Sequence, residues 1–373
     1  MTSKHLKVAC LSDVHLGHPN TPTKTIIENL EKAFPNNNTL EEIDILFIAG
    51  DFFDRLLHLP DDNAIEIRLY IAQLLRLCVK YKIILRVLEG TPSHDWRQSK
   101  LFTHINTMAK IHADVAYFDQ LGIETIEALG IDVVYIPDEW RSDPQDTYED
   151  VVALMRKHHK RQVDFIIMHG AFNYQLPIQV QHHTHQPEHY LPLVKQLIFI
   201  GHIHRHSHTQ RIIAPGSFDR LAHGEEEPKG YVRATINQDT YDYTVTFHEN
   251  PTAVTYQTLE CASLNVDETL ELIEHTVKPL TQPGRFRIRV QKDDAIFKGV
   301  EFLKKLYPMH QFTVIVDKGS SSSHKSVIDL EDRFEPITIT SHNIEPMVME
   351  YLKKEALCPT LIQKIRDTLN ASL

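Results

Sequence analysis

A chain of 373 residues that is 42% hydrophobic and 24% charged has the composition of a globular protein with a sizeable core. No apolar run reaches the roughly 20 residues that a membrane span needs, and a formal net charge of -11 argues against a simple basic coat for nucleic acid. The four cysteines, Cys10, Cys78, Cys261 and Cys358, lie far apart without a CxxC, and the N-terminus has no pattern of a secretory signal. Reduced thiols and a cytoplasmic location are therefore expected.

Taken in chain order, short apolar runs predict buried strands at Leu6–Leu11, Ile43–Ala49, Ile83–Leu88, Ile131–Ile136, Val163–Met168 and Gln196–Ile200. Amphipathic spacing predicts helices over Thr25–Phe34, Asp62–Lys80 and Tyr148–Arg161. Strands alternating with helices indicate an α/β domain. Closely spaced strands follow between Ile212 and Phe247. A second unit begins near Thr258. It reads helix Val266–Val277, strand Arg285–Val290, helix Ala295–Leu306 and strand Gln311–Val316. The run "GSSSSHK" then has linker composition, and the tail from His342 has helical spacing. The expected division is a main domain over 1–255, a small α/β domain over 256–318, a linker over 319–341 and a helical tail over 342–373.

Five strand ends carry residues suited to chemistry. They are "SDVH" with Asp13 and His15, "GDFFDR" with Asp51, Asp54 and Arg55, "GTPSHD" with Ser93, His94 and Asp95, "MHG" with His169, and "GHIH" with His202 and His204. In an open α/β sheet, ligands gather outside the carboxyl ends of the strands. In an extended segment, residues i and i+2 point the same way, so Asp13 with His15, and His202 with His204, are each expected to reach one point. Mixed carboxylate and imidazole donors suit manganese, iron or zinc better than calcium. The set is too large for one tetrahedral ion and fits two ions sharing a carboxylate, an arrangement that orients a phosphate and activates a water. A lone histidine at a strand end is most often a satisfied or exposed residue. Five such ends in this order are poorly explained that way.

The motifs "DVH", "GDFFDR", "SHD", "MHG" and "GHIH" resemble the calcineurin-like metallophosphoesterases. "DVHLG" and "APGSFDRLAHGEEEPKGYV" resemble the SbcD-type repair nucleases within that family. The resemblance implies a β-sandwich flanked by helices, a capping α/β domain and a tail that binds an SbcC-type coiled-coil ATPase. It further implies a homodimer acting on DNA ends; the compact chain and the unusual third loop point to a bacterial or phage-infected cell. It makes Asp51 the bridge between two divalent ions, manganese first, with iron or zinc as alternatives. Asp13, His15 and His204 complete one site, and His169 and His202 belong to the other. His94 assists the leaving oxygen, with Asp95 or a neighbour holding its ring, and Asp54 and Arg55 orient the ligands. The sequence departs from the family at the third motif. The family's Gly-Asn-His is replaced by Gly90-Thr91-Pro92-Ser93-His94. Counting back from His94, Ser93 takes the place of the asparagine and is the expected substitute ligand. Arg285, Arg287 and Arg289 share one face of a strand and are candidates for DNA-backbone contact. A phosphatase or small-phosphodiester hydrolase, and a catalytically weak scaffold of the same fold, remain alternatives.

Overall fold

The computed structural model describes residues 5–317 apart from 59–60 and 293, and leaves the side chains of 180–182 and 298 undescribed. The expected linker over 319–341 and tail over 342–373 lie outside the described residues.

The predicted apolar runs are buried because they are covered on both faces. Strands His5–Leu11, Ile45–Ala49, Ile84–Leu88 and Val115–Phe118 run parallel, and Gly230–Asn237 and Tyr243–Glu249 extend that sheet through antiparallel pairings. A second sheet has parallel strands Ile131–Ile136, Val163–His169, Val194–Gly201 and Ile212–Ala214, with Gly122–Ile126 and Ser207–Thr209 antiparallel at its edges. The two sheets pack face to face over a shared core of Val8, Cys10, Phe47, Phe165, Tyr135 and Phe199. Alternate residues of the same strands, such as Leu46 and Ile48, turn outward to meet helices Thr23–Ala33 and Asp62–Tyr81. Helix Pro144–Lys157 covers the outer face of the second sheet through Val151 and Met155. The result is a mixed α/β architecture, a β-sandwich flanked by helices.

Helix Pro144–Lys157 starts four residues before the predicted Tyr148 because Asp143 caps it. The Asp143 side chain accepts from Gln145 N–H, and Pro144 occupies the first turn. Strands Val115–Phe118 and Gly122–Ile126 and helix Leu101–Met108 were not expected. They are short, and the two strands are mostly half-buried, so their hydrophobic period is weak.

A third sheet of three parallel strands, Thr255–Glu260, Gly284–Val290 and Gln311–Val316, has its own core of Phe286, Ile288, Val290, Ile273 and Leu303. This module opens with a strand, not with the expected helix. One face is covered by helices Val266–Val277 and Ile296–Leu306. The other carries Tyr256, Thr258 and Glu260 in register with Arg285, Arg287 and Arg289. That face is tied to the main body where Tyr256 OH meets Thr21 Oγ1 at 3.0 Å and Thr258 N–H donates to Glu226 Oε1 at 3.0 Å.

Candidate metal centre

The parallel strands of both main sheets end at one edge, where the chain leaves each strand carrying a polar residue. Asp13, Asp51 and Thr91 come from the first sheet, and Asp138, His169 and His202 from the second. The two edges close tightly. A Cβ on Gly50 would stand 2.2 Å from His169 Nδ1, and one on Gly201 would stand 2.2 Å from Ala49 O. Glycine at these two positions lets the two sets of ligands meet.

Asp51 is central. Its Oδ2 lies 2.9 Å from His94 Nδ1, 3.3 Å from His169 Nε2 and 3.7 Å from His15 Nε2. Burial opposes its ionisation, but the charge and hydrogen bond of His169, with His94 and His15, outweigh burial and hold the carboxyl well below the usual range. Asp13, His15 and His204 form one group of converging donors, and Asp51, His169 and His202 form another. His15, Asp51 and His94 form a third.

The imidazoles are oriented from behind. His169 Nδ1 donates to Ala49 O at 2.7 Å, which leaves Nε2 as the free nitrogen. His204 Nδ1 meets Glu225 Oε1 at 2.7 Å. His15 Nδ1 stands 3.2 Å from Asp54 Oδ1, an ion-pair distance without the alignment of a hydrogen bond. The Nε2 atoms of His15 and His204 consequently face each other at 3.1 Å. Two ring nitrogens at that distance share either a proton or a cation. Beside them, the buried Asp13 Oδ2 has no hydrogen-bond partner among the described residues, while Oδ1 accepts from His202 N–H at 2.8 Å. These donors fit divalent ions of the manganese, iron and zinc class.

Several sequence expectations need correction. Asp13 and His15 do not alternate along an extended segment. Their φ values are 51° and 52°, Asp51 has 50° and His202 has 93°. Two left-handed residues, not strand pleating, bring Asp13 and His15 to one point. Asp95 does not hold the ring of His94. It is buried beneath the ligand loops, where Oδ2 accepts from Asp51 N–H and Gly90 N–H and Oδ1 accepts from Phe53 N–H. His94 is instead oriented by Asp51, with 39% of its side-chain surface open. Arg55 touches no ligand. Its Nε donates to Gly17 O at 2.9 Å, and an Nη lies 3.6 Å from Asp61.

Ser93 does not reach the centre. It is exposed, and its carbonyl accepts from Trp96 Nε1 at 2.7 Å. Thr91 stands in the position expected for Ser93. Its N–H donates to Asp51 Oδ1 at 2.6 Å, and its Oγ1 lies 3.1 Å from Asp51 Oδ2, 3.2 Å from Asp138 Oδ2 and 3.4 Å from His169 Nε2. The loop is therefore anchored forward from Gly90. Pro92 and Ser93 open the single turn Pro92–Asp95 that carries His94.

Sequence reasoning missed Asp138, Glu225 and Lys229. Glu225 sits in an acidic run that reads as a surface turn, yet it meets His204 from 21 positions away. Burial raises its pKa, but the hydrogen bond and charge of His204 and the charge of Lys229 prevail, and the carboxyl is lowered to about 2. Lys229 is buried and donates to His204 O at 3.0 Å and to Glu227 at 2.8 Å. Because the Glu225 pKa is depressed from 4.5, its stabilisation is present above about pH 4.5 and is lost as pH falls towards 2. In metal-free protein, Glu225→Gln is expected to lose about 2–3 kcal/mol at pH 7. Urea unfolding at pH 7 and pH 3 checks this, because the difference between wild type and variant shrinks at the lower pH.

On the face of the third sheet away from its helices, the arginines are engaged. Arg285 lies 5.8 Å from the Tyr256 ring centroid, and Arg289 Nη1 meets Glu260 at 2.7 Å. Arg287 acts on His223, whose pKa falls to about 4 through burial first and Arg287 next.

No helix among the described residues is long and apolar enough to cross a membrane. No curated protein matches the chain. A solved structure of 14% identity covers 66% of this chain and 100% of its own, with a TM-score of 0.40. The structure of TT1561 of Thermus thermophilus, at 9% identity, covers 65% of this chain and 99% of its own, with a TM-score of 0.38. The family model for calcineurin-like phosphoesterases matches residues 6–206, more than half of the chain and all five strand ends that carry the candidate residues. The chain belongs to the calcineurin-like phosphoesterases, and with that family goes metal-dependent hydrolysis of phosphoesters.

Proposed function

We propose that the chain is a manganese-dependent DNA phosphodiesterase, an SbcD-type nuclease that works with a coiled-coil ATPase and as a homodimer. The observation that carries the DNA reading is the third sheet. The face away from its helices carries Arg285, Arg287 and Arg289 in a row, each half-buried, and it adjoins the 220–226 loop that holds Glu225 behind His204. An arginine row beside a phosphoesterase centre suits a polyanionic substrate longer than one phosphate. The resemblance of "DVHLG" and of Ala214–Val232 to SbcD-type nucleases supports the same reading.

In this reading Asp13, His15, Asp51 and His204 would hold one divalent ion, and Asp51, Thr91, His169 and His202 would hold a second. When bound, such a pair neutralises phosphate charge and activates a water. Asp51 keeps the ligand set anionic at neutral pH. Glu225 and Ala49 O fix which imidazole nitrogen faces the centre. His94, open on one side, gives a proton to the departing oxygen. Asp95 holds three loop N–H groups and so sets the distance between the Asp51 and His94 loops.

The test compares linear duplex and single-stranded DNA with a phosphomonoester, with manganese and with chelator. Manganese-dependent cleavage of DNA is expected, and hydrolysis of the monoester alone would overturn the DNA reading. If the arginine row contacts the backbone, Arg287→Ala with Arg289→Ala reduces the slope of log affinity against log salt by about two. An unchanged slope removes the row from the interface.

A further inference from the structure

Two cavities flank the segment 137–140, whose Asp138 lies 3.2 Å from Thr91 Oγ1 at the metal centre. One, of about 430 Å³, runs past His202 and Gly170. The other, of about 440 Å³, is bounded by Gly90, Pro92, Trp96, Arg97 and Trp140 together with the carboxylates of Glu89, Asp119, Asp138 and Glu139. Both volumes lie in the range of small-molecule sites. The chain has two tryptophans, and both line the second cavity.

Neither indole has its N–H free. Trp96 Nε1 donates to Ser93 O at 2.7 Å, and Trp140 Nε1 donates to Asp150 Oδ2 at 2.9 Å. These bonds fix the planes of the rings; Arg141 lies over one face of Trp140, 5.9 Å from its ring centroid, so Trp96 offers the freer surface. Trp96 is 54% exposed, an unusual position for so large a ring. It and Arg97 both have left-handed backbone, with φ of 48° and 57°, a cost met where a loop must hold a particular shape. The Arg97 side chain is largely exposed, and its Nε stands 3.8 Å from Asp119, too far to engage it fully.

We propose that this cavity is a nucleobase subsite. Trp96 and Trp140 receive one unpaired base of the strand being cut, and Arg97 meets a neighbouring phosphate. The inference rests on the DNA reading above and specifies it. A base inside a duplex has both faces stacked, so only a single strand or a frayed end presents a base to these rings. Pro92 and Ser93, which lie between Thr91 and His94, now have a use: the Ser93 carbonyl anchors the indole.

The test measures kcat/KM for an oligothymidylate and for an abasic strand of equal length, using the full chain with manganese. Wild type is expected to prefer the base-bearing strand by about tenfold, the lower end of base–aromatic stacking. Trp96→Ala is expected to abolish that preference, and Trp96→Phe, which keeps a flat ring, to restore part of it. Quenching of tryptophan fluorescence by the oligothymidylate but not by the abasic strand reports the same contact, because both tryptophans lie in this cavity. Equal kcat/KM for the two strands in wild type, or a preference that survives Trp96→Ala, overturns the subsite and leaves the nuclease standing. Failure of wild type to cut either strand overturns the nuclease reading itself.

Discussion

Asp51→Asn lowers phosphodiester hydrolysis by about a thousandfold, some 4 kcal/mol of barrier. Asparagine has nearly the same shape, so the Thr91 N–H keeps an oxygen to bond and the fold is preserved. What disappears is the charge that His94, His169 and His15 surround at 2.9, 3.3 and 3.7 Å. Because Asp51 is held well below the usual carboxylate range, it is ionised throughout the neutral region, and raising the pH does not rescue the variant. The measurement is turnover of bis(p-nitrophenyl) phosphate at saturating manganese, with metal content determined on the same samples. Fewer than two ions per chain are expected. Activity within tenfold of wild type would overturn the proposed bridging role of Asp51.

Thr91→Ala and Ser93→Ala separate two readings of one loop. Thr91 places its hydroxyl 3.1–3.4 Å from Asp51, Asp138 and His169, whereas Ser93 is exposed and offers Trp96 only its carbonyl. The single hydroxyl proton of Thr91 goes to one carboxylate, and its oxygen lone pairs remain for an ion. Thr91→Ala is therefore expected to weaken binding of a second divalent ion, titrated as manganese, by about a hundredfold, the upper end of what supporting groups of a metal site contribute. Ser93→Ala is expected to leave the titration unchanged. Calorimetric titration of metal into each variant decides the matter without reference to turnover. The reverse pattern would restore Ser93 as the ligand.

This pair of variants also shows where the sequence stops being legible. The six main strands stand out because each is apolar on both faces, which few solvent-facing segments are. The ligand motifs stand out because they follow those strands directly. The Gly90–His94 loop can be counted from either end, and only backbone contacts decide. Asp51 Oδ1 holds the Thr91 N–H, and Asp95 holds the Gly90 N–H, so the count starts at the glycine. Asp138 follows a strand that was correctly placed, but Pro137 and a lone carboxylate make no recognisable motif. Glu225 was hidden because its partner is remote in sequence and its neighbours are two more glutamates. The same holds for Asp95, whose acceptor role depends on N–H groups outside its own turn.

The left-handed backbone at Asp13, His15, Asp51 and His202 has a consequence for how this chain tolerates change. Each such residue, lacking glycine's freedom, costs about 1 kcal/mol or more. Glycine at those four places would relax the backbone and remove four of the donors at the same stroke. Stability and metal capture therefore pull in opposite directions along these loops. At all four positions this chain carries the donor and not the relaxed residue.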